Sequence, residues 1–311
     1  ANAMGLSTSI RMMKEREVGS ELRKTPFTGI KSVLKVMGKS WILYFKMGWC
    51  TIKISNDFLF GKIMQNPWIC KELLQRILPE LEIDHIEYPE LQKAIKPDVD
   101  ARSVRLDVYV KDNKNTVYDI EMQVSNTKEL PKRSRYYQSM IDLQLIDKGE
   151  FYKKLNRSYI IFICLFDTFG KGRHIYTFEN ICKEDKGISM GDGAAKIFLN
   201  ANGTQDDVSK ELKAFLDYVA GKRPADSFVA KLEDAVQEAK RNREWRHEYM
   251  TLLMRDQENL EMGREQGRKQ GEEKLARLIK ALTEDNRSAD IVRVVDEKEY
   301  RQELYKKYHI I

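Results

Sequence analysis

Histidine and cysteine are scarce in this chain: four of each in 311 residues. Cys50, Cys70, Cys164 and Cys182 lie far apart and form no CxxC pair, so neither a zinc set nor a disulfide framework is signalled. Reduced thiols in a cytoplasmic protein are the expectation. His85, His174, His247 and His309 are equally scattered, and no histidine metal site or Ser/Cys–His nucleophile can be read from them. No glycine-rich phosphate loop follows a strand, which leaves an ATPase without support. Long apolar runs are missing too. The stretch from Val33 to Trp49 is broken by Lys35, Lys39 and Lys46 and falls short of the ~20 residues of a membrane span, so no membrane partner is expected. Charge of one sign is also in short supply. Lys and Arg total 54 against 48 Asp and Glu, for a net +6; this permits a polyanionic partner without demanding one.

What is present is a pair of alternating, β-branched and aromatic stretches. Val104–Val110 and Val117–Val124 read as two strands, and Lys111–Asn115 between them has the composition of a hairpin turn. Alternation puts Arg105, Asp107 and Tyr109 on one face of the first strand and Asp119, Glu121 and Gln123 on one face of the second. Closing the hairpin brings Asp107 opposite or diagonal to Glu121. Two carboxylates about 5 Å apart repel by roughly 3 kcal/mol at an effective dielectric near 20, and facing like charges destabilise a sheet. A bound cation reverses the sign of that cost. The same alternation also describes a solvated strand face carrying scattered charges.

These residues resemble a family. Asp107, then Glu121-Met122-Gln123 on the next strand, is similar to the active-site hairpin of the PD-(D/E)XK nucleases. The fuller run is Arg105-Leu106-Asp107-Val108-Tyr109-Val110, Ile120-Glu121-Met122-Gln123 and Lys132-Arg133-Ser134-Arg135-Tyr136-Tyr137. It resembles the recombination-promoting nucleases, or PD-(D/E)XK nuclease family transposases, from about Ile52 to about Gly221, with a return near Gly263. The resemblance implies an α/β fold with a restriction-endonuclease-like αβββαβ core and a mixed central sheet. It further implies a DNA endonuclease dependent on Mg²⁺, with Mn²⁺ as a substitute, linked to recombination or mobile elements.

On that likeness Asp107, Glu121 and Gln123 are the catalytic candidates, and Asp107, Glu121 and the backbone carbonyl of Met122 the metal ligands. Asp57 is either a helix cap or a further acid at the metal. Gln123 stands where the wider superfamily carries lysine, so it offers dipolar hydrogen bonds in place of a charge. Arg133 or Arg135 are the candidates to supply that charge. With Lys132 and Gln138 they form the expected DNA-binding set on a helix over Leu130–Leu145. A catalytically weak DNA-binding or scaffolding protein, and an RNA nuclease, are the alternatives.

The chain reads as three successive regions. Residues 1–51 are an N-terminal extension that begins with a cloning remnant, Ala1-Asn2-Ala3. Residues 52–221 are the nuclease-like domain. Here Ser55-Asn56-Asp57 supplies capping side chains for one helix, and Asn66 with Pro67 opens a second. Residues 80–103 read as loop, Pro97-Asp98 within them being a decoy, although the core order requires one more strand before Asp107. Tyr159–Phe166 is apolar on both faces and reads as a buried central strand. Short strands at His174–Phe178 and Ala195–Asn200 precede a helix capped by Asp206-Asp207 and stopped by Gly221. Residues 222–311 are mainly helical. Gly263, Gly267 and Gly271 recur every fourth residue and suggest a flexible or loosely helical connector, and the tail from Leu275 is a small helical unit or a homodimer contact.

Overall fold

The computed structural model describes residues 48–87, 90–95 and 104–310. The chain divides into two compact units, residues 1–52 and 53–311. The elements of the sheet and of the C-terminal helices all belong to the second; residues 1–47 and Pro97-Asp98 lie outside the described residues.

The second unit opens on two short helices, α1 (Asp57–Met64) and α2 (Pro67–Ile77). Asn56 caps α1 by accepting the N–H of Leu59 at 3.1 Å, and Asn66 caps α2 by accepting from Trp68 and Ile69. Each carboxamide satisfies amide groups that have no partner within the helix. Pro67 at the first position of α2 forfeits nothing, since its missing N–H would have been unpaired.

Three strands come next: β1 (Glu90–Ile95), β2 (Val104–Lys111) and β3 (Val117–Gln123). β1 corrects the reading of residues 80–103 as loop and supplies the strand that the core order required. Its charged residues, Glu90 and Lys93, hid it. At the turn between β2 and β3, buried Asp112 accepts the N–H groups of Lys114 and Thr116 and the hydroxyl of Tyr118, each at 2.8 Å. Asn115 takes the left-handed conformation (φ 59°) that asparagine tolerates well.

Helix α3 (Leu130–Leu145) carries the chain to β4 (Ser158–Cys164); β5 (Ile175–Phe178) and β6 (Ala194–Asn200) complete a six-stranded sheet in the order β1-β2-β3-β4-β6-β5. β3, β4 and β6 run parallel, while β1, β2 and β5 are antiparallel to their neighbours. Every residue of β4 is buried, as expected of a parallel strand covered on both faces. Beneath α3, Leu130, Met140 and Ile141 share one core cluster with Tyr109, Ile160, Phe162 and Phe198.

Helix α4 (Lys210–Val219) is capped by Ser209, not by Asp206-Asp207. Asp207 instead accepts both the backbone N–H and ring Nδ1 of buried His174, at 3.0 and 3.1 Å. The adjacent acids looked like a cap, but a long-range partner claimed Asp207. Gly221 ends the helical run at φ +95°, a conformation that suits glycine.

α5 (Ser227–Arg241) leads into α6 (Arg243–Glu284), 42 residues of continuous helix about 63 Å long at 1.5 Å per residue. The glycine repeat does not interrupt it, so the stretch expected as a flexible or loosely helical connector is continuous helix. A Cβ at Gly263, Gly267 or Gly271 would meet nothing within 4 Å. The end of α6 packs Leu278 and Leu282 against Val294 of α7 (Asp290–Asp296) and Leu304 of α8 (Lys298–Lys307), a small helical cluster of its own. The whole is a mixed α/β core followed by a helical C-terminal region. Among the described residues no helix is long and apolar enough to cross a membrane.

Candidate active site

The hairpin aims its acids at one face. Tyr109 pairs with Asp119 across β2 and β3, and the parallel register sets Asp119 beside Ile160 and Glu121 beside Phe162, on the face that α3 covers. The ladder between β2 and β3 runs from Lys111↔Val117 to Val108↔Ile120. One residue further, the N–H of Asp107 donates to Glu121 Oε1 at 3.0 Å. A side-chain carboxylate thus takes up an amide at the point where the two strands open, and the two acids meet there.

Glu121 is 2% exposed and its other oxygen is also engaged. Arg133 Nη2 donates to Oε2 at 2.8 Å, and Gln123 Nε2 donates weakly at 3.4 Å. Burial pushes the Glu121 carboxyl up to about 8, and the charge of Asp107 adds to the rise; the Asp107 N–H and the guanidinium pull the other way. The cation that offsets the facing acids in this structure is therefore contributed by the chain itself. Helix α3 delivers it. Arg133 and Tyr137, four residues apart, share a face, and the guanidinium carbon lies 5.2 Å from the Tyr137 ring centroid and 5.3 Å from that of Phe162.

Asp119, two residues before Glu121, is fully buried, and neither of its oxygens has a hydrogen-bond partner. Burial, followed by the charges of Glu121 and Asp107, holds its carboxyl far above the usual range. Strand alternation alone placed Asp119 on this face, and nothing in the letters marked it for a role. Its pairing with Tyr109, and the depth at which that pair lies, come from the folded sheet.

A cavity of about 360 Å³ opens over these groups, lined by Asn56, Asp57, Asp107, Glu121, Gln123 and Arg133, with Met122, Thr127 and Tyr137 also on its wall. Asp57 reaches it from the first residue of α1. Its Oδ1 accepts the N–H of the next residue, Phe58, at 2.8 Å, while Asn56 acts as the cap. A larger cavity, of about 670 Å³, is lined along α6 by Arg243, His247 and Arg255 among others and contains none of the hairpin acids.

A match to a family model decides the affiliation: the description "PD-(D/E)XK nuclease family transposase" fits residues 55–282. The chain belongs to this family. No curated protein and no solved structure matches it. As in the restriction-endonuclease-like core, a helix, three antiparallel strands, a helix and a parallel strand succeed one another, and the match continues through most of α6.

Within this nuclease-family chain the residues singled out from sequence separate into two groups. Asp107, Glu121, Gln123, Met122, Asp57 and Arg133 all line the one cavity. Lys132 and Arg135 are exposed on other sides of α3; two residues on from Arg133, Arg135 is turned some 200° around the helix. Gln138 is buried, and its amide donates to Asp142 and to Ser158. It braces α3 against β4 and lies away from the cavity.

Divalent metals are general in PD-(D/E)XK nucleases, and the donor set here can be tested against one. Among the described residues no group of three or more His, Cys, Asp or Glu converges to hold an ion unaided. Mg²⁺ needs no such group, since one or two carboxylates and several waters suffice. The hard oxygens of Asp107 and Glu121 in a shared cavity fit that requirement, and the absence of a His/Cys cluster among them does not fit a structural zinc site.

Proposed function

We propose that the protein is a Mg²⁺-dependent DNA endonuclease whose active site is this cavity. The observation that carries the reading is the hydrogen bond from the Asp107 backbone N–H to Glu121, which brings the two acids together on the wall of a cavity that Arg133 also lines. Asp107 and Glu121 would hold the ion, with the Met122 carbonyl completing the set and Asp57 facing it from α1. A divalent ion, when bound, neutralises the phosphoryl oxygens and activates water. The chain's own groups do the rest. Arg133 brings a fixed positive charge to a phosphate oxygen, the role that Gln123 cannot fill. The amide of Gln123, on the same strand face as both acids, orients water by hydrogen bonding. Lys132 and Arg135, exposed on other sides of α3, add positive charge around the helix but do not share the face of Arg133.

Nicking of supercoiled plasmid with Mg²⁺, with Mn²⁺ and with EDTA tests this directly. Cleavage that appears only with the ions is expected; cleavage insensitive to EDTA, or none under any condition, would reject the reading. Gln123→Lys should retain cleavage or raise it by up to about tenfold, since it adds a charge beside the phosphate. A fall of a hundredfold or more in that variant would show that the amide itself is needed.

A second reading has one observation in its favour. Glu121 already has an internal counter-ion in Arg133, as a fold kept for DNA binding or scaffolding would allow. Calorimetry with Mg²⁺ separates the two, because such a scaffold shows no heat of binding that depends on Asp107.

A further inference from the structure

Arg133 is posed to serve Glu121. Its Nη2 holds Oε2 at 2.8 Å, its guanidinium carbon lies 5.2 and 5.3 Å from the ring centroids of Tyr137 and Phe162, and its Nε is buried with no acceptor. The arginine side chain keeps 27% of its surface exposed and lines the cavity, whereas the glutamate beneath it keeps 2%. A divalent ion arriving on Asp107 and Glu121 would therefore meet a full positive charge on one of its own ligands. Like charges that close repel strongly where water is largely excluded.

We propose that Arg133 is a placeholder cation, which occupies Glu121 Oε2 until a divalent ion takes that place and then turns on the aromatic rings to meet a phosphate oxygen of the incoming strand. The inference rests on the metal-site reading above and adds to it a coupling between ion and substrate. Leaving Glu121 sacrifices one charge-assisted hydrogen bond and lets the unpaired Nε reach water or phosphate, so the pose can be surrendered. The rings of Tyr137 and Phe162 support the planar group in either position. Arg133 thus opposes the ion and assists the phosphate, and its removal should move the two affinities in opposite directions. A residue that merely braced the fold would weaken both.

The test is calorimetric titration of the full-length protein with Mg²⁺, paired with duplex-DNA binding in Ca²⁺. In Arg133→Gln, Mg²⁺ affinity should rise about tenfold and DNA affinity should fall by a similar factor, within the usual span of coupling between sites. Arg133→Lys keeps the charge and should bind Mg²⁺ as the parent does. An observation on the unaltered protein guards against a variant that fails to fold: the ¹⁵N resonances of the Arg133 side chain should shift on adding Mg²⁺, and should not do so in Asp107→Ala. Equal or weaker Mg²⁺ binding by a folded Arg133→Gln, or arginine resonances indifferent to saturating Mg²⁺, would overturn the placeholder while leaving the metal site intact. Mg²⁺ binding that Asp107→Ala leaves unchanged would instead reject the site, and the placeholder with it.

Discussion

Asp107→Ala is expected to abolish Mg²⁺-dependent plasmid nicking, by about 10³-fold or more, without unfolding the protein. With Asp107 as the proposed metal ligand, its loss would remove several kcal/mol of charge stabilisation from the transition state, and each 1.36 kcal/mol is a factor of ten. The folded protein should not suffer. The charge of Asp107 is one of the influences that drive the Glu121 carboxyl upward, so deleting it relieves repulsion, and the metal-free melting temperature should hold or rise. Loss of activity combined with retained stability is the mark of a group kept for chemistry at the expense of the fold. Glu121→Ala should abolish cleavage equally but behave differently on melting. It leaves the guanidinium of Arg133, 27% exposed on the cavity wall, without its carboxylate, and losing that charge-assisted hydrogen bond costs about 1.5–3 kcal/mol. Glu121→Gln is the gentler companion. Mg²⁺-dependent cleavage surviving in both Asp107→Ala and Glu121→Gln would remove the site assignment.

Without metal, the protein should be most stable near pH 5 and lose stability as the pH climbs to 8. The sign is set by the two raised carboxyls. In the unfolded chain Glu121 ionises near 4.5; in the folded protein burial and Asp107 hold its proton until about 8. Folding at pH 6 or 7 therefore takes up a proton, and the stability present below about pH 4.5 is lost progressively up to about pH 8. Asp119, raised by burial and by Glu121, acts in the same direction. The Glu121 shift by itself is worth on the order of 2–5 kcal/mol across this window. Below it the opposite behaviour sets in. Asp226 is only partly buried, and the Val229 N–H and Arg76 hold it below the ordinary range against the effect of that burial, so its contribution is lost as the pH falls further. Thermal melts in EDTA at pH 5, 6.5 and 8 measure the slope. Asp119→Asn, which cannot ionise, should melt higher than the parent at pH 8 and show a shallower slope. Saturating Mg²⁺ should recover stability most at pH 8, where the proton that competes with the ion for Glu121 is already leaving. Melting that is flat or rising between pH 5 and 8 in the parent protein would contradict the burial of both carboxyls.

Patterns that repeat locally announced most of the framework. The alternation and turn chemistry of residues 104–124 gave the hairpin; the Asn56 and Asn66-Pro67 signals gave the paired helices, and the unbroken apolar stretch around Ile160–Ile163 gave the buried central strand. β1 is not legible in the sequence because an edge strand needs little apolar surface, and Glu90 and Lys93 conceal its alternation. The length of α6 is obscured in the sequence because three glycines at about 1 kcal/mol each argue against a helix, yet they do not interrupt its 42 residues.

From its sequence alone this chain determines that acids occupy one face of a hairpin, since a two-residue period fixes which side chains share a face. It determines equally that a basic helix comes after them. Which cation answers those acids was decided only in three dimensions. Arg133 and Arg135 are indistinguishable as letters; a turn of about 100° per residue, and the depth at which α3 lies on Phe162, bring Arg133 to Glu121 and leave Arg135 in solvent. The same packing buries Asp119 without a partner and raises Glu121, because the cost of charge depends on how much water remains near it. That quantity belongs to the assembled sheet and helix, and no run of residues carries it.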